Sequence, residues 1–279
     1  MTSSKSSNSF SIGFIGGGNM ARSIIGGLVA DSTLNVSIQV FDLSSESLDA
    51  LQKEFSITAA ESNQAIVDQC DVVVLAVKPQ AMQTVLTEID ASNSSAVFLS
   101  IAAGLTINTL CKWLGKDIAL IRTMPNTPAL VQCGATGLFA NALVSSEQRE
   151  FADTIIQSTG IGLWVDSEDL LDVVTALSGS GPAYYFLVME AMQAAAENLG
   201  LETETARKLT IQTALGAATL AKQSDESSAD LRRRVTSPNG TTEQAINCFM
   251  DNDLKDIFDK AMQAAFKRSK ELAIELDQS

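Results

Sequence analysis

The stretch IGFIGGGNMARSIIGGL (residues 12–28) decides the fold. A short apolar run ends in Gly16-x-Gly18-x-x-Ala21 and passes directly into a helical pattern. The spacing has a mechanical reading. Gly16 permits a tight strand-to-helix turn, Gly18 lets the backbone approach a pyrophosphate, and small Ala21 lets helix and strand pack closely. The helix start, with Asn19 and Met20 in its first turn, then offers free N–H groups and a positive dipole end to negative charge. The plain alternative is a Gly-rich turn packed for its own sake. A strand before the motif and a helix after it favour a dinucleotide site.

Working outward, apolar runs recur at 10–16, 36–42, 71–77, 96–102, 117–123, 134–140 and 160–166, several apolar at consecutive positions. That is the pattern of strands buried on both faces. Helical stretches separate the earlier runs at 19–30, 45–54, 62–69, 80–88 and 106–114. The alternation predicts an α/β fold, a right-handed, doubly wound Rossmann-type sheet over 10–165. The second run ends at Asp42, where an acid accepts hydrogen bonds from the adenosine ribose and favours NAD. No Arg follows to take a 2′-phosphate. Ser44, Ser45 and Ser47 offer hydroxyls to a ligand or cap the next helix, so NADH and NADPH both remain. The segment AVKP (76–79) ends the third run, at the edge where open sheets bind ligands; Lys78 either sits beside the cofactor or simply ends a strand. The stiff loop RTMPNTPA (122–129) is suited to holding a nicotinamide amide.

Beyond 166 the pattern changes to helices only. Residues 182–199 form one, with Pro182 in its first turn and Gly200 at its C-terminal cap. It is apolar around much of its circumference, which predicts burial on more than one side and a subunit interface. Residues 223–230 read as a polar loop. LRRR (231–234) reads as a solvated helix face rather than a carboxylate clamp. In TSPNGTTEQ (236–244) a turn leads into a helix, with Thr241-x-x-Gln244 matching a capping box. The chain thus divides into a leader (1–9), a Rossmann domain (10–165) and a helical domain (166–279).

Composition closes off other classes. The 279 residues carry a formal charge of −14, which would repel nucleic acid and anionic membranes. No apolar run approaches the ~20 residues of a membrane span. Histidine is absent, which excludes a His base, a Ser-His-Asp triad and a His-ligated metal. The four cysteines, Cys70, Cys111, Cys133 and Cys248, have no C-x-x-C spacing and read as small apolar fillers. The polar start MTSSKSSNS is no secretory signal. No metal site is expected, and the setting is cytoplasmic.

The stretches IGFIGGGNMA, AVKPQ, SIAAGL, MPNTPALV, ALSGSGPAYYF and VTSPNGTTEQAI, in this order from residue 12 to 246, resemble pyrroline-5-carboxylate reductases. The resemblance implies a Rossmann domain followed by a helical dimerisation domain, with dimers often assembled into decamers. It implies hydride transfer from NADPH or NADH to the C=N carbon of 1-pyrroline-5-carboxylate, giving L-proline. It places the cofactor against Gly16, Gly18, Asn19, Met20 and Ala21, Asn63, Ala76, Val77 and Lys78, Ala103, and Met124, Pro125 and Asn126; the residue reading adds Asp42 and Ser44. It places the substrate at Ser237, Gly240, Thr241 and Thr242, with Ser180 and Gly181 shaping the pocket and Thr242 beside the imine nitrogen. Two departures stand out: Asn239 where the family has Gly, and Arg234 where relatives carry Asn. Asn tolerates a left-handed backbone, so the turn survives. The rivals are a β-hydroxyacid-dehydrogenase-like oxidoreductase and a non-catalytic NAD(P)-binding protein. The first resembles G-x-G-x-x-x-K, and the lysine position here is Tyr185.

Overall fold

The computed structural model describes residues 9–277, so nearly all of the expected leader lies outside it. Strands β1 (Phe10–Ile15), β2 (Val36–Phe41), β3 (Thr58–Ala59), β4 (Val72–Leu75), β5 (Val97–Ser100), β6 (Leu120–Met124), β7 (Gly134–Ala140) and β8 (Gly160–Trp164) form one sheet. Its order is β3-β2-β1-β4-β5-β6-β7-β8. The first six strands are parallel, in the Rossmann order with its switch point between β1 and β4. β4 shows why a run of four apolar residues is needed. Val73 and Leu75 enter one core with Met82 and Leu110, while Val72 and Val74 enter the other with Ile24 and Leu28. A central strand covered on both faces has no polar side.

Helices α1 (Asn19–Ala30), α2 (Ser45–Glu54), α3 (Asn63–Gln69), α4 (Pro79–Thr87), α5 (Ile107–Leu114) and α6 (Ser146–Gln157) supply the two covering layers. Three features depart from the sequence reading. The two-residue strand β3 is too short for any period to show. α6, to which that reading assigns nothing, opens on a complete capping box between Ser145 and Gln148. β7 runs antiparallel to β6, because residues 125–133 are too few for a helical crossover.

The chain forms two compact units, one running to Ser180 and resuming at Ala265, the other Gly181–Ala264. In the first, α7 (Leu170–Val174) continues into a π turn (Thr175–Gly179). The same unit receives the end of α12 (Leu254–Asp277). The Ser269 hydroxyl donates to Asp172 at 2.6 Å, the Thr109 hydroxyl to Asp277 at 2.8 Å, and Leu276 packs on Gly104.

The second unit holds α8 (Gly181–Asn198), α9 (Thr203–Gln223), α10 (Ser228–Arg234), α11 (Thr241–Asp251) and the start of α12. The expected polar loop is shorter than 223–230, since Ser227 caps α10 from Ser228. Of α8 only Gly181 is buried within the chain, and Tyr185, Phe186, Leu187, Val188 and Met192 are exposed. An apolar surface of this extent marks an association face. No helix among the described residues is long and apolar enough to cross a membrane.

Candidate active site

The parallel register places the ends of β1, β2, β4, β5 and β6 on one edge of the sheet. Gly16–Ala21, Asp42 and Ser44, Ala76–Lys78, Ala103 and Met124–Asn126 follow those ends in turn. Gly16 has φ +102°, and a Cβ there would stand 2.8 Å from the Ala76 carbonyl oxygen. Glycine is required on both counts. Gly18 caps α1 without a side-chain hydrogen bond, and a Cβ built on it meets nothing within 4 Å. That open cradle faces a helix start with no acidic residue in its first turn. Ala21 is fully buried beneath it.

Asp42 is tied into the loop. Its carboxylate accepts from the Gly17 N–H at 2.7 Å and the Ser44 N–H at 2.8 Å. It therefore braces the glycine turn, and a ribose would share it. Ser44 caps α2 through the Ser47 N–H at 3.2 Å. Asn63 opens α3, and its Oδ1 is buried without a partner among the described residues. A buried acceptor left unpaired is costly and marks a place for a donor. An open backbone cradle, an uncapped helix start and this orphan acceptor all fit a dinucleotide. Lys78 is exposed at the start of α4, ahead of Pro79. Asn126 is buried, with its amide spent inside the protein: Nδ2 donates to the Ser178 carbonyl at 2.9 Å, and Oδ1 accepts from the Ala135 N–H at 3.0 Å.

A cavity of about 540 Å³ lies in the same unit. Gln80 and Ala103 face it from the sheet edge, Thr175 and Ser180 from the π turn, and Arg268 and Ser269 from α12. The sequence reading missed Gln80, Thr175, Arg268 and Ser269, since no motif links a C-terminal helix to the sheet edge. Arg268 is held by Glu275 at 2.7 and 3.0 Å, and this hydrogen bonding keeps the Glu275 carboxyl below its ordinary range. In the same unit, buried Arg122 pairs with Glu168 at 3.0 Å, and Glu168 also accepts from the Ile107 N–H at 2.8 Å.

Ser237, Gly240, Thr241 and Thr242 lie in the second unit. Asn239 adopts φ +58°, the left-handed backbone expected where the family has Gly. Gly240 donates to the Ser237 carbonyl at 3.0 Å, and a Cβ on it would stand 2.5 Å from Ser237 Oγ. The expected Thr241–Gln244 capping box does not form. The cap is Gly240, one residue earlier, and Glu243 accepts from the Asn239 N–H at 2.8 Å. Thr241 and Thr242 are exposed at a helix start that no side chain caps. Arg233 and Arg234 pair with Asp230 and Glu226 on the surface, as a solvated face does. Of the cysteines, Cys70 and Cys111 are buried fillers as expected; Cys133 and Cys248 are exposed.

Comparison with known proteins agrees with both halves. Residues 168–272 match the family described as pyrroline-5-carboxylate reductase dimerisation, and residues 11–104 the family described as NADP oxidoreductase, coenzyme F420-dependent. The chain is 50% identical over 268 residues to the pyrroline-5-carboxylate reductase of Pseudomonas aeruginosa, covering 96% of this chain and 98% of that one. A solved pyrroline-5-carboxylate reductase from Coxiella burnetii is similar at TM-score 0.92 and 46% identity, over 95% of this chain and 99% of that one. The Plasmodium falciparum pyrroline carboxylate reductase with NADP bound is similar at TM-score 0.81 and 30% identity, over 95% of this chain and 98% of that one. Fold and site define an NAD(P)-dependent oxidoreductase with a Rossmann unit and a helical unit. More narrowly, the chain belongs to the pyrroline-5-carboxylate reductase family.

Proposed function

We propose that the chain reduces 1-pyrroline-5-carboxylate to L-proline with NADPH or NADH. The observation that carries this reading is the 50% identity across 96% of the chain, which spans both the glycine loop and the TSPNG turn. The nicotinamide, when bound, supplies a hydride to the C=N carbon. The chain's own residues bind and orient. The α1 start from Gly18 to Ala21 holds the pyrophosphate through free N–H groups, and Asn63, Ala76 to Lys78, Ala103 and the backbone of the 124–126 loop line the rest of the cofactor's path.

The uncapped start of α11 offers N–H groups to the substrate carboxylate, assisted by the helix dipole. Ser237 and Gly240 shape the approach, and the Thr242 hydroxyl hydrogen-bonds the ring nitrogen. The imine enters protonated, and hydride addition turns an iminium into a neutral secondary amine. No strong protein acid is needed, which accords with a chain lacking histidine. Catalysis then rests on placing two carbons together. The exposed apolar face of α8 forms the dimer, dimers assemble into decamers, and the enzyme works in the cytoplasm. The test follows NAD(P)H oxidation with pyrroline-5-carboxylate and, separately, with a 3-oxoacid. Turnover of the imine alone is expected; turnover of the 3-oxoacid alone overturns the reading.

A further inference from the structure

MPNTP and SGSGPA read as separate motifs in the sequence, but the structure joins them through Asn126. In a helix, the carbonyl of residue i receives the N–H of residue i+4. Four residues after Ser178 stands Pro182, which has no N–H to give. The chain here widens into a π turn, with the Ser180 N–H reaching back to the Thr175 carbonyl at 2.8 Å. The Asn126 Nδ2 supplies a donor to the Ser178 carbonyl at 2.9 Å. Its Oδ1 meanwhile takes the Ala135 N–H from β7, so one buried amide ties the β6–β7 connection to the π turn. The contact is close-packed as well: a Cβ on Gly179 would fall 2.6 Å from Met124 Cε. Thr175 and Ser180, at the two ends of this turn, line the same cavity as Gln80 and Ala103.

We infer that Asn126 is a positioning residue: it replaces the N–H that Pro182 lacks and so fixes the π turn as one wall of the active-site cavity. Its side chain acts on the substrate wall rather than on the nicotinamide amide. π turns concentrate at functional sites because their spare carbonyls and wider turn re-aim neighbouring groups. This one would drift without a donor, since a part-buried carbonyl left unpaired is disfavoured.

The test rests on the reductase reading for its kinetics but not for its structural arm. Asn126→Asp keeps the acceptor for Ala135 and removes the donor to Ser178; Asn126→Ala removes both. In the full chain without cofactor or substrate, amide deuterium exchange of residues 175–181 should quicken at least tenfold in both variants, while β1 and β4 stay protected. With pyrroline-5-carboxylate, kcat should fall at least tenfold while the Kd for NADPH stays within threefold. Adding Pro182→Ala to Asn126→Ala returns a backbone N–H and should recover threefold or more of the lost protection. Unchanged exchange at 175–181, or a Kd for NADPH rising in step with the loss of kcat, overturns the inference. Absence of imine turnover by the unmodified chain overturns the reductase reading instead and leaves the exchange result to decide this one.

Discussion

Two glycines of the opening stretch should respond in opposite ways to the same substitution. Gly18 has φ −69° and ψ −177°, a backbone alanine also adopts, and open space where a Cβ would go. Replacing Gly by Ala at a compatible position stabilises by about 0.4–1 kcal/mol through the unfolded chain. Alanine is a poorer N-cap than glycine by a comparable amount. The folding change of Gly18→Ala should therefore lie within about 1 kcal/mol of zero. Its methyl group, however, would project into the space proposed for the pyrophosphate beside the α1 N–H groups. Losing one charge-assisted hydrogen bond costs about 1.5–3 kcal/mol, or roughly 10- to 150-fold in Kd at about 1.4 kcal/mol per decade. At Gly27 the balance reverses. A Cβ there would lie 2.1 Å from the Ser158 carbonyl oxygen, so α1 and the end of α6 must separate. Overpacking of this kind costs about 1–3 kcal/mol, more when backbone must move. Urea unfolding and NADPH fluorescence titration on both variants decide the matter. Gly18→Ala should fold normally and bind weakly; Gly27→Ala should unfold early and bind normally while folded. Wild-type NADPH affinity in folded Gly18→Ala would refute the cradle.

Four further expectations follow from the same geometry. Thr242→Ala should impair imine reduction while leaving NAD(P)H affinity nearly unchanged; equal loss of both would remove Thr242 from the ring nitrogen. Asn239→Val should cost about 1–2 kcal/mol in urea unfolding, because a β-branched residue resists the observed φ of +58°, whereas Asn239→Gly should be near neutral. Glu168→Ala strands the Arg122 guanidinium, whose side chain is 5% exposed, and should cost about 3 kcal/mol in the same assay. Burial pushes the Cys70 thiol from its ordinary 9.0 up to about 11, with the Asp71 charge adding to the shift. A raised thiol pKa stabilises the fold at pH values below 9 and loses that contribution as the pH rises from 9 to 11, so urea midpoints should decline across that window.

How much of this was legible depended on whether the controlling contact was local. The β4 run was readable because burial on both faces writes itself as consecutive apolar residues, and the α1 turn because each glycine answers a local steric demand. α6 carried a readable signal, the Ser145–Gln148 box ahead of buried Ile155 and Ile156. β3 has only two residues and is defined by pairing with β2, a non-local fact. The same holds for the site. Asp42 was readable as an acid at the end of β2, but not its hydrogen bonds to the Gly17 and Ser44 N–H groups. Arg268 and Ser269 reach the cavity only because Asp172, Thr109 and Gly104 anchor α12 on the first unit, and no spacing along the chain reports that.

The start of α11 shows how a shift of one residue alters the chemistry of a helix end. With Thr241 as the cap, its hydroxyl would occupy an N–H that an anion needs. With Gly240 as the cap, there is no side chain to do so. The neighbouring residues enforce that choice. Asn239 takes the left-handed conformation that reverses the chain, and any Cβ at 240 would collide with Ser237 Oγ. Glu243, the carboxylate nearest to the helix start in sequence, is turned back onto the Asn239 N–H. Its charge is thereby engaged in holding the turn. The sequence Ser-Pro-Asn-Gly-Thr-Thr-Glu thus folds so that the Glu243 carboxylate holds the turn behind the helix. No side chain caps the N–H groups in front, which is the arrangement the proposed carboxylate seat needs.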